Sequence, residues 1–127
     1  MSIKILTVDD AKAVRLLVER SLAPFACEVN EASNGFNAFF AIERVRPDLI
    51  LLDVSMPVMD GVETLRRLKG APELAAIPVL MLISPPDRPL VPQLAAMGAT
   101  AILPKPFTET TLLEAVRRLV PLSSTKG

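Results

Sequence analysis

Five short apolar runs divide the chain: Ile3 to Val8, Cys27 to Ala32, Leu49 to Leu52, Val79 to Ile83, and Ala101 to Leu103. Ile50-Leu51-Leu52 and Val79-Leu80-Met81-Leu82-Ile83 show no polar alternation. Continuous runs of this kind suit central strands covered on both faces. Between the runs, Val14, Leu17, Val18 and Leu22 recur at helical spacing, and Leu112, Val116, Leu119 and Val120 repeat it near the end. Punctuation agrees: Pro47 and Pro78 precede strands, Gly70 and Gly98 can close helices, and Asp60 and Thr108 can cap helix starts. Strands alternating with helices imply right-handed crossovers and a parallel sheet in an α/β fold, with helices on both faces.

The second helix is predicted to run from Gly35 to Arg44. At 100° per residue, Ala38, Phe39, Ile42 and Val45 share a face and form its core stripe. Phe36 and Phe40 fall on nearly the opposite side, flanked by Asn37, Glu43 and Arg44. Two rings left there make an exposed apolar patch, of the kind that anchors a partner or a second copy of the chain.

An open α/β sheet binds ligands outside the carboxyl ends of its strands. That rule sorts the polar residues. Asp9 and Asp10 end the first strand, Asp53 the third and Ser84 the fourth, while Lys105 lies just past the fifth. Each has a bland reading alone: a turn or cap for the aspartates, a loop hydroxyl for Ser84, a surface amine for Lys105. Their joint placement on one sheet edge gives the constellation its weight.

Composition narrows the partners. The 127 residues fit one domain, expected over 1–122, with 123–127 as a disordered tail. Half the residues are apolar and only 4% aromatic, so the core must be aliphatic. Fourteen basic and fourteen acidic residues cancel, leaving no overall field for nucleic acid or an anionic membrane. The chain has no histidine, which removes the commonest general base and metal ligand. Its single cysteine, Cys27, reads as a small buried hydrophobe. No apolar run reaches the ~18 residues a membrane span requires, and no basic region opens a signal peptide. A cytoplasmic protein is the expectation.

Three carboxylates in one cleft repel one another, and Lys105 offsets a single charge. A divalent cation would neutralise the remainder, and an all-oxygen ligand set favours Mg2+ over zinc or copper. In that frame an ionised aspartate is a competent nucleophile toward phosphorus.

The same residues carry a family resemblance. Val8-Asp9-Asp10, the segment Asp53-Val54-Ser55-Met56-Pro57-Val58-Met59-Asp60-Gly61, Ser84, and Lys105-Pro106-Phe107 resemble the receiver domain of two-component response regulators, in order over residues 3–120. The resemblance implies a flavodoxin-like, doubly wound five-stranded sheet of order 2-1-3-4-5. It implies Asp53 as phosphoacceptor, and Mg2+ held by Asp10, by Asp9 largely through water, by Asp53 and by the Ser55 carbonyl. Ser84 and Lys105 would contact the phosphoryl group, and the Lys105-Pro106 bond would be cis. A histidine kinase or phosphotransfer protein would donate the phosphate. With no DNA-binding segment, the output would pass through contacts with a downstream protein effector. Such a chain is a switch, which accepts a phosphoryl group and can hydrolyse its own aspartyl-phosphate without turning over a separate substrate. Met1 and the polar tail read as the ends of a free-standing domain.

This sequence departs from the family pattern in places. Ile102 stands where Tyr or Phe is usual and offers no ring to swing inward. Pro85 and Pro86 follow Ser84, and Pro89 and Pro92 crowd the start of the fourth helix, where only the first turn tolerates proline. These changes favour, as a second reading, a scaffold that binds partners independently of phosphate. A haloacid dehalogenase-type phosphatase needs a second aspartate two residues beyond its nucleophile, where Ser55 stands. A flavin carrier would need aromatic rings that a chain without Trp or Tyr lacks.

Overall fold

All five apolar runs form strands: β1 (Ile3–Val8), β2 (Cys27–Ala32), β3 (Leu49–Asp53), β4 (Val79–Ile83) and β5 (Ala101–Pro104). Between them lie α1 (Lys12–Leu22), α2 (Gly35–Arg44), α3 (Gly61–Gly70), α4 (Val91–Ala96) and α5 (Glu109–Arg117). The computed structural model describes residues 2–124. The strands pair in parallel in the order β2-β1-β3-β4-β5, as the sequence implies.

The unbroken apolar runs have a direct physical cause. Within β3, Leu49 and Leu51 face α1 and α5, while Ile50 and Leu52 face α2, α3 and α4. β4 divides likewise, with Leu80 and Leu82 on one side and Val79, Met81 and Ile83 on the other. Both strands are buried at every position, because each pleat face meets a helical layer. One layer contributes Val18, Leu22, Leu112 and Val116, and the other Ala38, Ala41, Ile42, Leu65, Leu68 and Leu94. Those core side chains are aliphatic throughout, as composition requires.

The caps hold as expected. Asp60 accepts a hydrogen bond from the Glu63 N–H at 2.9 Å and starts α3, and Thr108 accepts from the Thr111 N–H at 3.2 Å and starts α5. Gly98 follows α4 at φ 103, a conformation open to glycine. The prolines reshape the fourth helix more than its sequence suggested. Pro92 occupies the first turn of α4, but Pro85, Pro86 and Pro89 lie upstream in a separate 3-10 segment, Pro85–Leu90. Proline donates no N–H and clashes with a preceding α-helical turn. The helix proper therefore shrinks to six residues.

The expected tail also needs correction. The Ser123 carbonyl accepts from the Ala26 N–H at 2.7 Å, and Ser124 forms an isolated antiparallel bridge with Phe25. The Phe25 ring in turn lies 5.1 Å beneath the Arg117 guanidinium. Ser123 and Ser124 are thus tied to the entrance of β2 rather than frayed. Residues 125–127 lie outside the described residues.

One strained residue stands out between β3 and α3. Val58 has φ 69, and the Met59 N–H reaches back to the Pro57 carbonyl at 2.8 Å to close a γ-turn around it. A β-branched residue held at positive φ costs about 1–3 kcal/mol. Val58 is 81% exposed, so its side chain regains almost nothing by burial. Val58→Gly is therefore expected to stabilise the fold by about 1 kcal/mol, once the added freedom of glycine in the unfolded chain is subtracted. A urea midpoint that rises at constant slope would register this, whereas an unchanged or lower midpoint would contradict it.

Candidate functional site

Strand order decides where the polar residues meet. β1 lies between β2 and β3, so the chain reverses direction across the sheet there and opens a crevice at the carboxyl ends. Val8 pairs with Leu52, which brings the following residues, Asp9 and Asp53, side by side. Beyond β5, the Lys105 N–H donates to the Ile83 carbonyl at 2.7 Å and extends the pairing by one residue. The Lys105-Pro106 peptide is cis. Gly61 packs so closely behind Asp53 that a Cβ there would overlap the Asp53 carbonyl oxygen. This explains the glycine that closes the Asp53 to Gly61 segment.

Asp9 is fully buried and Asp53 is 3% exposed. The Lys105 ammonium donates to Asp9 Oδ2 at 2.8 Å and to Asp53 Oδ1 at 3.1 Å. Asp9 Oδ1 accepts from the Ala11 N–H at 2.9 Å, so its carboxylate also braces the turn into α1. It does not cap that helix, whose N-cap is Ala11. Asp10 stands exposed at the mouth, and oxygens of Asp9, Asp10 and Asp53 lie within 4.8 Å of one another.

The electrostatics follow from this crowding. Burial, then the charge on Asp9, pushes the Asp53 carboxyl up to about 6 despite the opposing bond from Lys105, and Asp10 adds to the rise. Burial of the Lys105 ammonium works against its proton. The bonds from Asp9 and Asp53 outweigh that penalty and raise its pKa above the usual lysine value. One ammonium faces three carboxylates, so a hard divalent cation with oxygen ligands suits the remaining charge.

Ser55 and Ser84 join this cluster indirectly. Among the described residues neither side chain hydrogen-bonds Asp53. Asp87, which is 7% exposed, instead holds the Ser55 side chain and the Ser84 backbone. The Ser55 hydroxyl donates to Asp87 Oδ1 at 3.2 Å, and the Ser84 N–H donates to Asp87 Oδ2 at 3.1 Å. Sequence reasoning passed over Asp87, although Ser84-Pro85-Pro86-Asp87 has the spacing of a capping box. It also missed Arg15, whose Nη1 donates to the Asp9 carbonyl at 2.6 Å while its Nε meets Glu31 Oε1 at 2.7 Å. No local pattern in α1 marks that arginine.

The family model for the response regulator receiver domain matches residues 5–117, a span that contains every residue of this cluster. The chain belongs to that family. It is 33% identical to Sporulation initiation phosphotransferase F of Bacillus subtilis, over 98% of each chain. It is 40% identical to Response regulator MprA of Mycobacterium tuberculosis, covering 94% of this chain but only 51% of that protein. Its fold matches chemotaxis protein CheY4 of Vibrio cholerae with a TM-score of 0.85 at 35% identity, covering 94% of this chain and 100% of the other. The receiver domain of sensor histidine kinase PA1611 from Pseudomonas aeruginosa matches with a TM-score of 0.82 at 25% identity, over 94% and 98% of the two chains. That receiver has a magnesium ion coordinated in its active site cleft. Receivers are signalling switches rather than enzymes that turn over a separate substrate, and phosphorylation-dependent switching is general to them. Among the described residues of this receiver, no helix is long and apolar enough to cross a membrane.

Proposed function

We propose that this receiver is a cytoplasmic phosphorylation switch that takes a phosphoryl group from a histidine kinase or phosphotransfer protein onto Asp53. The observation that carries this reading is the buried Asp53 carboxylate, hydrogen-bonded to Lys105 and crowded by Asp9 and Asp10. Asp9, Asp10, Asp53 and the Ser55 carbonyl would hold Mg2+, and the donor set fits it, being entirely oxygen and short of positive charge. When bound, the cation offsets the negative charge of the carboxylates and of the incoming phosphoryl oxygens. The Asp53 carboxylate forms the new oxygen–phosphorus bond as the donor's nitrogen–phosphorus bond breaks. Lys105 and the Ser84 hydroxyl hold two oxygens of the product. Slow attack by water on the aspartyl-phosphate returns the switch to its resting state.

A protein donor must bring its histidine to this cleft. Beside Lys105 runs an apolar groove of about 420 Å³, lined by Ala13, Val14, Leu17, Pro85, Pro106 and Phe107. It is the natural seat for the apolar flank of a donor helix. Intact-mass measurement with acetyl phosphate tests the central reading. One added phosphate is expected with Mg2+ and none with EDTA; no addition in either case would overturn it.

Output passes through protein contacts in this reading, and α2 offers a surface for them. Phe36 and Phe40 are 50% and 54% exposed, with ring centroids 5.2 Å apart in an edge-to-face pair. The core stripe of α2 is Ala38, Ala41 and Ile42 with Phe39 packed alongside, so neither outward ring is needed to hold the helix down. The pair anchors a downstream effector or a second copy of the chain. Replacing both rings with serine should change stability by less than ~1 kcal/mol while weakening effector capture or self-association at least tenfold. A loss of several kcal/mol would show that the rings are core and remove the interface. A scaffold that binds without phosphate remains the second reading, favoured by Ile102. That side chain is half-buried and packed against the α2, α3 and α4 side of the core, with no ring to reorient.

A further inference from the structure

Among the described residues Asp87 hydrogen-bonds neither Asp53 nor Lys105, yet it is the only one whose side chain hydrogen-bonds both Ser55 and Ser84. Ser55 lies in the loop after β3, two residues beyond Asp53, and Ser84 directly follows β4. A single buried carboxylate therefore spans the two loops that wall one side of the pocket. Its backbone closes the link, because the Asp87 N–H donates to the Ser84 carbonyl at 2.8 Å.

Asp87 also belongs to the 3-10 segment Pro85–Leu90, in which three of six residues are proline. Each proline ring fixes φ near −65°. A segment so constrained has fewer torsions with which to absorb a displacement of Asp87, which favours passing it on toward the start of α4. A ligand that draws in the Ser55 carbonyl or the Ser84 hydroxyl pulls on one of the two residues that donate to Asp87. On the β5 side Lys105 reaches the pocket directly, while Ile102 is half-buried against the core with no ring to reorient.

We infer that Asp87 is a positioning residue that joins the two loops of the pocket and transmits occupancy of the Asp53 site into the proline-stiffened segment ahead of α4. The inference rests on the reading of Asp53 as phosphoacceptor. It goes beyond that reading by naming the residue that ties the Ser55 and Ser84 loops together.

Beryllofluoride with Mg2+, as a phosphoryl mimic, tests it by amide chemical shifts. In the unsubstituted chain, Val54 should report the pocket, and Arg88, Leu90 and Val91 should report the segment. Asp87→Ala is expected to cut the shifts at Arg88, Leu90 and Val91 at least threefold relative to that of Val54. Asp87→Asn, which keeps one acceptor oxygen, should recover part of the loss, whereas Asp87→Leu, which fills the space without an acceptor, should recover none. Should Asp87→Ala fail to fold, Ser55→Ala severs one of the two links, and a smaller loss of the same shifts is expected. Full-size shifts at Arg88, Leu90 and Val91 in Asp87→Ala, or in Ser55→Ala where that variant carries the test, would overturn the inference while leaving Asp53 in place as the acceptor. Absence of any shift at Val54 in the unsubstituted chain would overturn the phosphoacceptor reading and this inference with it.

Discussion

Asp53→Asn is expected to lose the phosphate that the unsubstituted chain gains from acetyl phosphate and Mg2+. The amide keeps the size of the carboxylate but has no ionised oxygen to attack phosphorus, so the loss should be complete within detection. Its neighbours cannot take over. Asp9 is fully buried, with one oxygen on the Ala11 N–H and the other on Lys105. Asp10 stands at the solvent-exposed mouth, and among the described residues the Lys105 ammonium pairs with Asp9 and Asp53 rather than with it. Lys105→Ala should leave the acceptor intact and slow its labelling by about 10²-fold, the usual effect of removing one preorganised charge from a transfer site. Full labelling of Asp53→Asn would mean that another side chain is the acceptor, and a folded protein by circular dichroism keeps the comparison fair.

A second large effect concerns stability in the absence of metal. An unfolded aspartate titrates near 3.8, whereas Asp53 in the folded chain titrates at about 6. Between these values the folded state binds more protons than the unfolded one, so this group's contribution falls as pH rises through the window. It is fully favourable below about pH 4 and wholly lost above about pH 6. Allowing for solvent screening across the open side of the cleft, the deficit at pH 7 is roughly 2 kcal/mol. Asp53→Asn should therefore melt several degrees higher than the unsubstituted chain at pH 7 without metal, and the gap should close toward pH 4. Glu28 and Glu63, whose pKa values lie below the usual glutamate range through their hydrogen bonds, have the opposite pH dependence in both proteins and cancel in the difference.

Mg2+ should act on the same strain. At ten times its Kd it stabilises the unsubstituted chain by about 1.4 kcal/mol, as any ligand confined to the folded state would. Asp10→Asn should raise the metal-free melting temperature and lose most of that response. If Asp10→Asn instead cost the metal-free protein more than ~1 kcal/mol, its carboxylate would be structural. A gap between Asp53→Asn and the unsubstituted chain that stayed constant from pH 4 to 7 would mean that Asp53 is not strained by burial and like charge.

Much of the site was legible because strand ends are legible. Runs such as Ile50-Leu51-Leu52 mark their own length, and in a parallel sheet the residue after each run is delivered to one edge. That reasoning brought Asp9, Asp53 and Lys105 within hydrogen-bonding distance with no knowledge of angles. The exposure of Phe36 and Phe40 followed in the same way from helical periodicity.

What periodicity alone could not reach lies in contacts between segments far apart in the chain. Arg15 and the Asp9 carbonyl belong to neighbouring elements, but the guanidinium is aimed by Glu31 on β2. Asp87 has the spacing of a cap, yet its burial depends on the β3–α3 loop bringing Ser55 to it across 32 residues. The positive φ of Val58 depends on the tight γ-turn before α3, and the anchoring of Ser123 on the Ala26 N–H depends on the end of α5 reaching the segment before β2. Hydrophobic patterning acts residue by residue and so writes strands, helices and sheet edges directly into the chain. Hydrogen bonds between loops, and the backbone strain they hold in place, exist only once the packed elements set which loops become neighbours.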